Sequence, residues 1–161
     1  MARAGSQRHW TGDGAVQGKV LRLLVYLWVL PVTVLGLLVS GLARLSGGTV
    51  QWVDGVLESS GGWPARVLQF GFPFSGPVVA ITLGHSVIGV SASALTSTRT
   101  HERVHVAQFE RWGVLFLVLY PLAGVLAWIR GGNPYCDNVF ECEARAAEQA
   151  SSEAHSSIFR P

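Results

Sequence analysis

The stretch TRTHERVHVAQFERWG, residues 98–113, decides how the rest of the chain reads. It sets His101, Glu102 and His105 in the pattern H-E-x-x-H, in a chain of only five histidines. On an α-helix, residues i and i+4 share a face. His101 and His105 can therefore both offer an imidazole nitrogen to one zinc ion at about 2.0–2.1 Å. Glu102 would stand beside the metal without ligating it, placed to take a proton from a water whose pKa zinc lowers toward 7. Two histidines leave such a site incomplete, because catalytic zinc usually has three protein ligands and an open position. Five His and seven Glu among 161 residues produce the pattern by chance on the order of once in a hundred such chains. The bland reading is an amphipathic helix with histidines facing solvent.

The composition around the motif is that of a membrane protein. Hydrophobic residues make up 49% and charged residues 14%, against about 25% charged in ordinary soluble chains. A net charge of +2 gives no broad basic surface, which argues against nucleic acid as a partner. The run from Val20 to Leu42 contains 20 uncharged residues from Leu23 onward. That length crosses a hydrocarbon core of about 30 Å, and Pro31 is tolerated in such a helix. A cleaved signal peptide is the alternative, but its apolar core is usually shorter. Arg3, Arg8, Lys19 and Arg22 precede the run and only Arg44 follows it closely. The positive-inside rule then puts the N-terminus in the cytoplasm and the remainder outside.

Residues 1–18 and 151–161 read as disordered tails and 19–43 as the anchor. Asp54-Gly55 between VQWV and VLES predicts a β-hairpin. Residues 61–77, rich in Gly, Pro and aromatics, read as an irregular connection. Residues 77–95 favour a pair of short strands over a second span, because Val, Ile and Thr dominate. From Ser97 the pattern turns helical, with Thr98 or Thr100 as cap, and Val104, Phe109 and Trp112 near one face. Residues 113–129 are apolar and interrupted by Pro121; RGGNPYCDN then breaks the chain, and a short helix follows over 139–150. Cys136 and Cys142 match no zinc-finger spacing and are either a small-loop disulfide or free thiols.

HERVHVAQ resembles the H-E-x-x-H-x-x-Q helix of a large bacterial group of zincin-like domains. In that group the helix follows a strand with a T-x-G-x-x-I-like signature, and here ITLGHSVIG stands in that place with Thr82, Gly84 and Ile88. A downstream ECEAR resembles the E-x-x-A-D ligand helix of membrane-type gluzincins. The resemblance covers roughly residues 78–150. It implies that Glu141 is the third zinc ligand, with Glu143 as its nearest rival. Arg145 departs from the family aspartate, and that puts the outer support of the site in doubt.

Joining His105 to Glu141 constrains the topology. A straight helix from 105 to 129 would carry the chain about 36 Å away, a distance the link to 141 barely covers when extended. Residues 114–129 are therefore expected to fold back near Tyr120-Pro121, as a buried or membrane-dipping hairpin of half-helices. A single straight span would leave Glu141 on the wrong side of the bilayer. Thr82, Gly84, His85 and Gln108 are candidates for a substrate-binding strand or outer support, with a structural role the blander reading for His85. The strand itself could take an extended peptide by edge addition. Tyr120 and Tyr135 could donate to an oxyanion, and Glu110 could pair with arginines on a solvated face.

The expected architecture is α+β: a membrane-anchored zincin-like minidomain over 46–150. It comprises the anchor, a short β element, the H-E-x-x-H helix, the apolar hairpin of 113–129 and a ligand helix. The expected activity is zinc-dependent peptide hydrolysis at a membrane, with Zn2+ on His101, His105 and Glu141, Glu102 as base, and a peptide or protein substrate. The alternative is a non-catalytic membrane interaction protein with an empty or structural metal site.

Overall fold

The computed structural model describes residues 13–71 and 78–158, and within them the chain is α+β. Helix α1 (Asp13–Leu45) is followed by β1 (Thr49–Val53), β2 (Val56–Ser60) and α2 (Gly62–Phe70). Then come β3 (Ala80–Leu83), β4 (Ser86–Gly89), α3 (Ala92–Trp112), a 3-10 turn over Gly113–Leu115, α4 (Phe116–Ile129) and α5 (Val139–Ile158). The sheet order is β1-β2-β4-β3, with β2 and β4 parallel and the outer pairs antiparallel. Asp54 and Gly55 close the first hairpin with positive φ, 45° and 80°. That is the mirror-image turn whose twist matches the strands, and the dipeptide predicted it. Residues 80–83 and 86–89 are the short strand pair expected between 77 and 95.

The sheet lies between α1 and α3. Successive strand residues point to opposite faces. Val87 accordingly packs with Val56, Leu95 and Val106 on the α3 side. Ser40 of α1 donates to Ser59 of β2 on the other. A second cluster joins the helices, with Val29 and Val32 of α1 fully buried against Phe109 and Phe116. Two helical runs, Lys19–Leu45 and Ala92–Ile129, are long and apolar enough to cross a membrane.

Several expectations require correction. Helix α1 already covers residues 13–18, part of the tail expected over 1–18; residues 1–12 lie outside the described residues. Residues 62–70, read as irregular, form α2. Pro64 sits in its first turn, where a missing N–H costs nothing, and Ala65 and Leu68 supply a buried stripe. Residues 72–77 of that segment lie outside the described residues. Helix α3 begins at Ala92 rather than Ser97, because Ser91 caps it by accepting from the Ala94 N–H. The terminal helix runs to Ile158, eight residues into the expected tail; 159–161 lie outside the described residues. Cys136 and Cys142 are free and exposed.

The fold-back also occurs elsewhere. Helix α4 continues through Pro121, and the change of direction lies at Gly113–Leu115. Gly113 has a φ of 57°, and an added Cβ there would fall 2.5 Å from the Trp28 ring of α1. The break thus needs glycine for both its backbone angle and its close contact. Beyond Ile129 the chain returns along α4, and the Asn138 side-chain amide donates to the Tyr120 carbonyl at 3.0 Å. Only the stretch from Tyr120 to Ile129, about 13 Å at 1.5 Å per residue, has to be retraced. The distance problem is solved without breaking α4.

Candidate metal centre

Helix α3 carries His101 and His105 one turn apart, and α5 packs across it with Glu141 in its first turn. The two Nε2 atoms lie 3.2 Å apart. Glu141 Oε1 is 3.2 Å from His105 Nε2, and Oε2 is 3.4 Å from His101 Nε2. The three residues offer ligand atoms within 4.8 Å of one another, a group that could hold a metal ion.

The surroundings fit a cation. His105 Nδ1 lies 2.8 Å from Gln108 Oε1, an acceptor, so the proton sits on Nδ1 and the Nε2 lone pair faces the cluster. Gln108 is itself held, donating to the Phe140 carbonyl and to Glu143 Oε2 on α5. Such an acceptor behind a ligating imidazole fixes its tautomer and raises its basicity. Tyr120 donates to Glu141 Oε1 at 2.7 Å. Glu141 Oε2, by contrast, is buried without a hydrogen-bond partner. The His105 lone pair, the His101 Nε2 and a carboxylate oxygen without a hydrogen bond lie together, a set that a cation could satisfy. Burial pushes the Glu141 carboxyl up, but its contacts with His101, His105 and Tyr120 outweigh burial and hold it well below the ordinary carboxylate range.

Glu102 is buried on the sheet side of α3, where the Thr82 hydroxyl of β3 donates to its Oε2 at 2.6 Å. Its Oε1 has no hydrogen-bond partner among the described residues. Glu102, Thr82 and the three clustered residues line one cavity of about 690 Å³, walled by β3 on one side and α4 on the other. Tyr135 also reaches this cavity, its hydroxyl pushed up to about 12 by burial and the Glu141 charge.

Other sequence candidates sit differently. Glu143 stands with Gln108 and Arg111, outside the cluster. Gly84 forms the β3–β4 turn, with a φ of 62°. His85 lies away from the cavity: it is held by Thr33, paired with Glu110 at 3.1 Å and stacked on Tyr26. That pairing replaces the arginine partners expected for Glu110. Tyr120 is committed to Glu141 rather than free for an oxyanion. Arg145 places Nη1 3.8 Å from Glu141 Oε2 and also donates to the Cys136 carbonyl.

Sequence reasoning missed Glu148, whose Oε2 lies 3.6 Å from His101 Nδ1. That is too long for a direct hydrogen bond, yet Glu148 is the carboxylate standing behind His101. Its signal was present: 141 and 148 are seven apart, hence on one helical face. No family model, curated protein or solved structure matches the chain. The resemblance to zincins therefore stands on the residues themselves.

Proposed function

We propose that the chain is a zinc-dependent, membrane-associated metallopeptidase of the H-E-x-x-H type. The observation that carries this reading is the joint placement of the His101–His105–Glu141 cluster and a separately held Glu102 on one cavity. Zinc held by the three residues would supply a Lewis acid for a carbonyl and lower the pKa of water to about 7. Glu102 does the proton work. Its Oε2 is fixed by Thr82, so Oε1 takes a proton from the attacking water and returns it to the departing amine nitrogen. Tyr120 and Gln108 hold Glu141 and His105 in place. Tyr135, half exposed at the rim, donates its hydroxyl to the oxygen that gains charge. The positive-inside pattern supports a cytoplasmic N-terminus, and the site stands beside the middle of α1, where Val29 and Val32 meet Phe109 and Phe116.

One observation favours the alternative of a structural metal in a membrane interaction protein: the Arg145 guanidinium partly neutralises Glu141. Zinc per chain in detergent-purified protein, followed by a chelator-sensitive cleavage assay, separates the readings. Glu102→Gln should keep its zinc and lose about 10²–10⁴ in cleavage rate. Cleavage unchanged in that variant would sink the peptidase mechanism.

A further inference from the structure

Helix α4 presents three stripes, the first two bordering the cavity and the third turned away from it. Phe116, Tyr120 and Ala127 face inward, where Phe116 and Tyr120 pack beside His105. Leu117, Pro121, Val125 and Trp128, spaced i, i+4, i+8 and i+11, line the cavity beside the metal cluster. Val118, Leu122, Leu126 and Ile129 form an outer stripe roughly a third of a turn away, exposed and wholly apolar. The cavity wall is exposed too: Leu117, Val125 and Trp128 keep 40%, 49% and 66% of their surface accessible. Apart from Glu102 and Glu141, no Asp, Glu, Lys or Arg lines the cavity among the described residues.

The opposite wall is a sheet edge. Val79 accepts from the Val90 N–H, so Val79, Ile81 and Leu83 are the residues that bond β4. In an antiparallel pair the alternate residues turn their N–H and C=O the other way. Ala80 and Thr82 therefore aim these groups into the cavity, and β3 has no strand beyond it among the described residues. An occupant must satisfy backbone groups along one side and apolar side chains along the other. A lipid tail satisfies only the second, and a polar peptide only the first.

Resting on the peptidase reading above, we propose that the substrate class is an unwound apolar segment of a membrane protein. It lies extended between β3 and α4 and enters from the lipid side. The outer and cavity stripes belong to one helix, so a bilayer that wets the first reaches the mouth of the second. Residues flanking the scissile bond rest on Leu117, Val125 and Trp128. Charged or strongly polar side chains there would lose hydration with nothing to replace it.

The test uses full-length protein in phosphatidylcholine vesicles and two labelled peptides of equal length, one apolar and one polar. Binding is measured on zinc-loaded Glu102→Gln protein and cleavage on wild type. The apolar peptide should bind about tenfold or more tightly and be cleaved with a correspondingly higher kcat/KM. Val125→Gln should remove most of that preference with zinc content unchanged, whereas Val118→Gln, on the outer stripe, should leave it intact. Equal binding and cleavage of both peptides would overturn the substrate class and leave the peptidase reading standing. Apolar binding without cleavage by zinc-loaded wild type would support the occupant and overturn the peptidase reading. Failure to bind either peptide, or displacement of the apolar one by a long-chain fatty acid, would overturn the inference.

Discussion

Glu58 and Glu141 are the most deeply buried carboxylates among the described residues, and they are buried for opposite ends. Glu58 of β2 is 3% exposed and Glu141 of α5 is 2% exposed. Arg99 grips Glu58 through both oxygens at 2.9 Å, Gln51 donates to Oε2 at 3.0 Å, and Arg103 stands 3.8 Å off. Each of its oxygens is satisfied, and the group fastens α3 to the sheet. Glu141 accepts from Tyr120 on one oxygen; the other has no hydrogen bond, with the His101 ring 3.4 Å away and Arg145 3.8 Å off. A buried acid with matched cations is a fastener. One whose second oxygen lacks a hydrogen bond beside two histidines belongs to a group that could hold a cation.

Substitutions should separate the two roles. Glu141→Gln is expected to weaken zinc binding by more than about a hundredfold, beyond the usual effect of losing an outer partner. The metal-free fold should stay within about 1 kcal/mol of wild type; competition with a zinc chelator and chemical unfolding read the two quantities. Glu58→Ala should do the reverse. It strands Arg99 and costs about 3 kcal/mol of stability, while leaving one zinc per folded chain. If Glu58→Ala lost zinc without losing stability, the contrast would collapse.

Gln108→Leu sharpens the metal side. Removing the acceptor behind His105 Nδ1 should weaken zinc binding about 10–100-fold with a near-native unfolding midpoint. The fastener side has a pH signature. Burial pushes the Glu58 carboxyl up, but hydrogen bonds from Arg99 and Gln51 and the charges of Arg99 and Arg103 more than reverse it. Its folded value lies below the ordinary 4.5. The resulting stability is present above the unfolded value and is lost as pH falls through the folded one. The stability gap between wild type and Glu58→Ala should therefore be full and constant above about pH 4.5 and narrow as pH falls from there through the lower folded value, in acid-range unfolding curves. The smallest effect expected is about 1 kcal/mol for Ser91→Ala, which uncaps the helix carrying Arg99 and both histidines. That loss should leave zinc affinity unchanged.

Only one of these two carboxylates was visible in the sequence. Glu141 stood out because H-E-x-x-H demanded a third ligand and ECEAR offered one. Glu58 had no signal, since its arginine partners Arg99 and Arg103 lie 41 and 45 positions away on another element and nothing local marks them. The hairpin at Asp54-Gly55 was legible because its turn chemistry is local. The start of α3 was misplaced because Thr98 and Thr100 are also good capping residues, and only the chain entering from β4 selects Ser91. The break before α4 was misassigned to Pro121 because proline is the louder signal. Gly113 decides the matter through its contact with Trp28, 85 positions earlier, which no window of sequence contains.

That Trp28 contact, and the full burial of Val29 and Val32, bear on how the protein can be handled. An anchor is ordinarily dispensable: it is clipped off, and the remainder is studied in water. Here the first helix, long and apolar enough to cross a membrane, is also a wall of the fold. Deleting it would open the seam between α3 and α4 and remove the Thr33 and Tyr26 partners of His85. A water-soluble version would have to keep α1 and change its outward leucines, such as Leu23, Leu27 and Leu38, to polar residues.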